Sequence, residues 1–492
     1  MLIQSRARRH GRLKTSAVSA LIIAASVFFH FPARSEPLHT DRSEQTAGFD
    51  SVGSTETNVV DGFTLAAVGD VMMRRPQTVV HQSTLGPVTK ILQSADVAFG
   101  NLEANITDLR TSKGHPTVNG DSQIVAAPAV APDLKAIGFD IMSRANNHAY
   151  DWGIDGMRET TEVLDQAGIV HAGVGENLAQ AAAPHFVETR RGRVGLVSLA
   201  TTFPPGSRAA DAAALAPGRP GLNALRLTQS VVVPSDMLES LRRIRNALPG
   251  PTEKANLDQV VLADTIYRAG NKPGYSFEPN AHDIKTILRN VREGKQFSGF
   301  LIVSNHDHYS GSSNEVPADY AQAFARKVID AGADAYIAHG PHILRGIEIY
   351  KGRPIFYSLG NFVFDNLNPV EGADYFEGLG MDPRKDTVPD VLSIDMAYFA
   401  DPVYYESVVA VSRFEKNQLV EIRLYPIELS FSKRLADRGV PRLAPLQHSK
   451  TILERLQRLS EPYGTHISIE SGVGVIRLPS AARSIKPRAK SG

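Results

Sequence analysis

Between residues 63 and 425 the chain alternates short apolar runs with amphipathic segments. Runs at 63–68, 96–99, 139–142, 169–171, 193–200, 299–304, 334–338 and 354–358 are rich in Val, Ile, Ala and Phe and are bounded by turn residues. That pattern predicts strands buried on both faces. Helical spacing covers 134–137, 156–166 and 320–331. Residues 406–413 and 419–425 read as a hairpin across Lys416-Asn417-Gln418. Strands alternating with helices in this way predict an α/β domain over 62–430.

The stretch 203–296 breaks the rhythm. It opens with Pro204-Pro205-Gly206 and holds two helical segments, near 237–248 and 282–291. A long insertion between core strands is expected to build a lid or a substrate wall. The C-terminal extension, 431–492, carries one helix at 449–459 and a basic end. At the other end, 36–61 is rich in Ser, Thr and Gly and reads as a flexible tether. Arg6, Arg8, Arg9, Arg12 and Lys14 precede an apolar run at 17–31, followed by Pro32 and Ala33-Arg34-Ser35. This is the layout of a secretory signal peptide, 1–35, with cleavage expected after Ser35. The run is shorter than the ~20 residues of a stable membrane span. The body is therefore expected to be exported, to the periplasm or cell surface. It would touch the membrane only through this segment, if the segment is retained.

Composition narrows the chemistry. The 492 residues carry 53 Lys+Arg against 52 Asp+Glu, a net charge of +1, which argues against a nucleic-acid partner. With 42% apolar residues the chain is not generally disordered. With no cysteine there are no disulfides, thiolate metal sites or cysteine nucleophiles. A metal here must be held by His, Asp, Glu or Asn, a donor set suited to Mn, Fe, Zn or Mg.

Residues of that kind stand directly behind the expected strands: Asp70, Asn101/Glu103, Asn147/His148, Asn305/His306/His308 and His339/His342. In open α/β sheets ligands bind beyond the carboxyl ends of the strands. Each cluster alone has an ordinary reading. Asp70 could cap a turn, Glu103 could be a solvated acid, and His339-Gly340-Pro341-His342 could be a turn that happens to carry two imidazoles. Five strand ends delivering carboxylate, amide and imidazole to one rim are not explained that way. Such a set can hold two divalent ions ~3.5–4 Å apart. The spacing of His339 and His342 suits a tight loop that puts both imidazoles on one ion.

The ordered motifs GDVMMRR (from Gly69), FGNLEANI (from Phe99), RANNHAYDWG (from Arg144), AGVGEN (from Ala172) and AHGPHILRGIEIYKGRPIFYSLGNFVFD (from Ala338) resemble the CapA-type, or PGA-cap, family. These bacterial proteins are associated with poly-γ-glutamate capsule synthesis, and the family is similar to the calcineurin-like metallophosphoesterases. The resemblance implies a four-layered α/β/β/α sandwich, here with a helical insertion, around a dinuclear centre. It makes Asp70 the first metal ligand, with Glu103, or Asn101, at the bridging position. Asn147, His306, His339 and His342 become further ligands, with His308 second to His306. His148 becomes the catalytic hydrogen-bonding residue or general acid. The chain departs from the superfamily at Met72, where a histidine is usual, at the bridging position, which is not a plain Gly-Asp, and at His339-Gly340-Pro341-His342, where some relatives have His-Pro-His.

Arg144, Arg345 and Asn361 stand within these motifs and are candidates for contacting an anionic substrate; structural ion pairs or turns are the alternative. Three functions follow. The first is an exported CapA-like protein acting on poly-γ-glutamate or another anionic polymer beside capsule synthesis and export proteins. The second is a metal-dependent envelope phosphoesterase acting on a phosphate-containing substrate. The third is a non-catalytic assembly or export component.

Overall fold

The centre of the chain is two sheets packed face to face. The structure is a computed structural model that describes residues 58–117, 122–249, 258–365 and 370–478. The signal segment and the tether up to residue 57 lie outside the described residues. Residues 58–61, assigned to the tether from their composition, are part of the fold: Val59 is buried in the core and the Val60 N–H donates to the Arg191 carbonyl.

The first sheet runs in the order Ser468–Glu470, Val473–Arg477, Gln418–Glu428, Glu406–Glu415, Phe63–Met72, Val97–Leu102, Ile141–Ser143, Val170–Ala172. The last four are parallel to one another. The second runs Ile347–Tyr350, Arg353–Phe356, Ala335–His339, Phe300–His306, Gly192–Ala200, His185–Thr189. Its four central strands are also parallel.

Strand alternation decides the layers. Phe63, Leu65 and Ala67 face inward, where they meet Phe300, Ile302, Ala335 and Ile337 of the other sheet in one core. Ala66 and Val68 face outward against Leu85, Val88, Leu134 and Leu164 of three helices, Gln82–Gln93, Val130–Ile137 and Gly153–Gln166. On the far side Leu301, Val303 and Tyr336 meet Ile287 and Val291 of Ala281–Gln296 and Phe324 and Val328 of Ala321–Asp330. The result is an α/β/β/α sandwich. The runs read as strands from the sequence are strands, because residues on both of their faces are buried.

The insertion is not purely helical. Leu227–Val233, Gln259–Leu262, Thr265–Ala269 and Gly274–Pro279 form a separate four-stranded sheet beside Ser235–Ala247. Its second helix, Ala281–Gln296, belongs to the outer layer. Asp283 on this helix accepts two guanidinium bonds from Arg226, at 2.8 and 2.7 Å. The C-terminal extension is integral too. Val473–Arg477 pairs with Gln418–Glu428, and Ile452, Leu453 and Leu456 of Leu446–Ser460 are buried in the inner core. Among the described residues no helix is long and apolar enough to cross a membrane.

Candidate metal centre

The parallel strands of both sheets end at one rim, and the polar clusters meet there. Asp70 lies inside Phe63–Met72, at an irregularity in its pairing with Val97–Leu102. Its partner on the other side is Asn361, at the start of Asn361–Phe364. The preceding residue must be glycine, because a Cβ on Gly69 would sit 1.8 Å from the Gly360 carbonyl oxygen. That close approach lets the Asp70 N–H donate to the same oxygen at 3.0 Å. Glu103 follows Val97–Leu102. His306 and His339 are the last residues of adjacent parallel strands and stand opposite each other in register. Gly340 then takes φ +116° and His342 φ +60°, folding the loop back so that His342 re-enters the site. A left-handed histidine is a strained conformation of the kind that active sites retain.

Six donors form two groups: Asp70 with His306 and His339, and Glu103 with His308 and His342. In the first, His306 Nδ1 is 2.9 Å from His339 Nδ1, and His339 Nδ1 is 3.6 Å from Asp70 Oδ1. In the second, Glu103 Oε1 lies 4.0 Å from Nε2 of both His308 and His342. His306 stands between the groups, its Nε2 2.8 Å from His308 Nε2 and 3.3 Å from Glu103 Oε1. Ligands bound at ~2.1 Å to one ion lie ~3–4.2 Å apart, depending on the angle between them, and the separations here fall within or just under that span. The expected pairing of His339 and His342 on one ion is not found: the turn sends them to different groups. His308 is a full member of the second group, because the strand ends at His306 and the chain bends before His308.

Hydrogen bonds outside the groups fix which nitrogens face inward. Asn361 Nδ2 donates to the carbonyls of Tyr404 (2.9 Å) and His342 (3.3 Å), so its Oδ1 accepts from His342 Nδ1 at 2.9 Å. His342 Nε2 thus keeps its lone pair toward Glu103. Ser304 Oγ lies 2.6 Å from His339 Nε2, leaving Nδ1 toward Asp70. Burial tends to raise the Asp70 carboxyl, but His342, His339 and Asn101 outweigh it and hold it well below the usual carboxylate range. Burial lowers His306 and His308 well below the usual imidazole value, with neighbouring imidazoles adding to it; it lowers His339 to about 4 against the pull of Asp70. Neutral imidazoles beside an ionised Asp70 are the protonation states that metal binding needs.

Asn147 is 5% exposed and its buried Oδ1 has no hydrogen-bond partner. An orphaned amide oxygen beside six N/O donors fits a divalent cation. Asn101 instead donates to Asp70 Oδ1 at 2.9 Å and accepts from Asn146 at 3.0 Å, so it supports the first group and does not replace Glu103. His148 Nδ1 is 2.7 Å from Asp151 Oδ2, and His148 lines the cavity above the donors.

The two arginines are placed elsewhere. Arg144 is 1% exposed and donates to Thr161 Oγ1 (2.7 Å) and the Met157 carbonyl (3.0 Å), inside the sandwich. Arg345, also 1% exposed, ties down the following loop through the carbonyls of Asn314 (2.9 Å) and Tyr309 (3.1 Å). Neither lines the cavity, so both are structural. Asn361 orients His342. Arg74, which the sequence reading did not single out, does line the cavity.

The cavity has a volume of about 580 Å³. Asn147, His148, His308 and His342 form its floor, and Met72, at the place where a histidine is usual, lines it as well. Its wall comes from Phe364 and from residues 375–404, including Leu379, Leu392, Met396 and Phe399. No described residue of 203–296 lines it, so the expected substrate wall comes from the later segment.

Comparison with known proteins bears on this arrangement. A family model described as "Bacterial capsule synthesis protein PGA_cap" matches residues 64–366. The chain is 57% identical over 449 residues to the uncharacterized protein y4sH of Sinorhizobium fredii, covering 89% of this chain and 97% of that one. It is 24% identical over 307 residues to the capsule biosynthesis protein CapA of Bacillus anthracis, covering 61% and 60% of the two chains. A probable polyglutamine synthesis accessory protein of Mycobacterium tuberculosis is 28% identical over 293 residues, 57% of this chain and 61% of that one.

Proposed function

The chain belongs to the bacterial capsule synthesis PGA_cap family, and on that premise we propose that it is an exported, metal-dependent hydrolase acting on an anionic polymer of the envelope. The observation that carries this reading is the pairing of two three-donor groups, each with one carboxylate and two imidazoles, of which His308 and His342 of the second open onto the cavity. Relatives whose names refer to capsule and polyglutamine synthesis support poly-γ-glutamate, or a polymer like it, as the substrate, and capsule synthesis or export proteins as partners.

Asp70, His306 and His339 would hold one divalent ion, and Glu103, His308 and His342 a second, with the Asn147 amide oxygen joining them. Ions bound there supply Lewis acidity at neutral pH. The protein's own groups do the rest. Asp151 accepts from His148 Nδ1 and so sets the ring with Nε2 toward the cavity, where the imidazolium form, paired with the Asp151 carboxylate, would pass its Nε2 proton to a leaving group and return to the neutral ring. Asn361 keeps His342 in its ligating tautomer, and Ser304 holds the His339 ring with Nδ1 toward Asp70.

Metal-dependent phosphoester hydrolysis is the second reading, and the partly apolar wall of the cavity favours it over a uniformly charged chain. The test is elemental analysis of the chain from residue 36 onward beside Asp70→Ala. It is followed by release of glutamate from poly-γ-glutamate and turnover of bis-p-nitrophenyl phosphate. Bound metal reduced toward half in the variant, with one of these activities in the unaltered chain, supports the hydrolase. Absence of metal after reconstitution with Mn, Fe or Zn sinks both readings and leaves an assembly role.

A further inference from the structure

We propose that the ligand of this cavity is amphipathic: a phosphate ester whose anionic group meets the donor floor and Arg74, and whose apolar group lies along the wall built by 364–404. The proposal takes the phosphoester form of the hydrolase reading over the polymer form, and rests on that reading only for the chemistry of the floor.

The wall reaches the donors themselves. His342 lies parallel to Phe364, 6.2 Å away at an interplanar angle of 6°, and edge-on to Phe399 at 6.2 Å and 85°. Phe364 and Phe399 meet each other at 5.0 Å. A ligand that touches His342 therefore touches aromatic carbon as well. The helix Val388–Tyr398 is rich in apolar residues yet buries only Val391 fully. Leu392, Ile394, Met396 and Tyr398 line the cavity, with Ile394 42% and Tyr398 75% exposed at its edge. Apolar side chains gathered on a cavity wall, without a core to enter, mark a surface that an apolar ligand covers.

The polar side is equally specific. Arg74 Nε is buried without a hydrogen-bond partner. Glu371, Asp365, Asp395 and Asp151 act on its charge electrostatically and offset part of the effect of burial. An arginine held in this way over a cavity is prepared for an oxyanion. A phosphate ester has enough oxygens to address the His308 and His342 side of the floor and Arg74 together, where a carboxylate has two.

A polyanion with a carboxylate on every unit would have to strip water from charge against Leu392, Met396 and Phe399, which is costly. A single anionic group joined to an apolar one avoids that. The helix that supplies most of the wall lies beyond residue 366, where the match to the family model ends.

The test is calorimetric binding of octyl phosphate, methyl phosphate and octanoate to the Mn-loaded chain, below the micellar range. Octyl phosphate should bind at least about tenfold tighter than methyl phosphate, since each buried methylene is worth about fourfold. The ratio should collapse toward one in Leu392→Asn/Met396→Gln. Arg74→Gln should weaken both phosphates by about tenfold. Equal binding of the two phosphates, or binding of neither, overturns the proposal; octanoate binding as tightly as octyl phosphate overturns the phosphate assignment. A chain that takes up no metal yet prefers octyl phosphate would retain the proposal and remove the hydrolase reading. A metal-loaded chain with no chain-length preference would do the reverse.

Discussion

His148 Nδ1 lies 2.7 Å from a carboxylate oxygen of Asp151, which is fully buried and also accepts the Ile124 N–H at 2.7 Å. The second bond pins the carboxylate, so the imidazole is held from behind and cannot turn freely. His148→Ala should lower turnover by roughly 10²–10⁴-fold, the usual range for a lost general acid. Metal content should stay at the wild-type level, because His148 belongs to neither donor group. Asp151→Asn should cost less, since the ring remains. Unchanged turnover in His148→Ala would remove its role.

The two donor groups can be addressed one at a time. Asp70→Ala and Glu103→Ala should each reduce bound metal, by elemental analysis, toward half of the wild-type content. Asp70→Ala should also destabilise the fold. It leaves Asn101 Nδ2 and the Gly340 N–H, which donate to Asp70 at 2.9 and 3.1 Å, without their acceptor. Each such loss costs about 1–3 kcal/mol. A variant at either position with wild-type metal content would count against that group.

Asn361→Ala removes the acceptor that sets the His342 tautomer. Affinity for the more weakly bound ion should fall about 10–100-fold, the typical effect of losing an outer hydrogen-bond partner of a ligand. A chelator titration separates this from misfolding. If both ions come off as they do from wild type, Asn361 is only a turn residue.

The site was legible in the sequence because its residues stand at the ends of runs whose burial on both faces makes them unambiguous, such as Phe300–His306. What was not legible depends on where a side chain points once the strand ends. Arg144 and Arg345 sit within the motifs and turn away from the cavity, and nothing in their spacing shows it. His339 and His342 are separated by two residues, yet the left-handed turn sends them to different groups. The strands of the insertion were hidden for another reason. Leu227–Val233 has only Ser230 fully buried, so it shows neither a buried run nor a regular alternation. The apolar helix Val388–Tyr398 gave no core signal because it faces a cavity.

The tail tests the fold itself. Leu453 is 0% exposed and packs in the core between the two sheets, though it lies in a segment that composition set apart as an extension. Leu453→Ala should cost about 2–5 kcal/mol in denaturant unfolding, as for other buried leucines. A change below ~1 kcal/mol would show that the tail is a loose appendage.

Each donor group draws its carboxylate from one sheet and both imidazoles from the other: Asp70 and Glu103 belong to the first, and His306, His308, His339 and His342 to the second or its loops. Neither layer supplies a full three-donor group by itself. A cation bound there would latch the sandwich shut along its rim, so coordination and closure of the two layers become a single event. Stripping the ions should unlatch it, lowering resistance to denaturant by about 2.7 kcal/mol for each ion at a free metal level one hundred times its Kd. Metal occupancy then reports that the two halves of the chain have found each other.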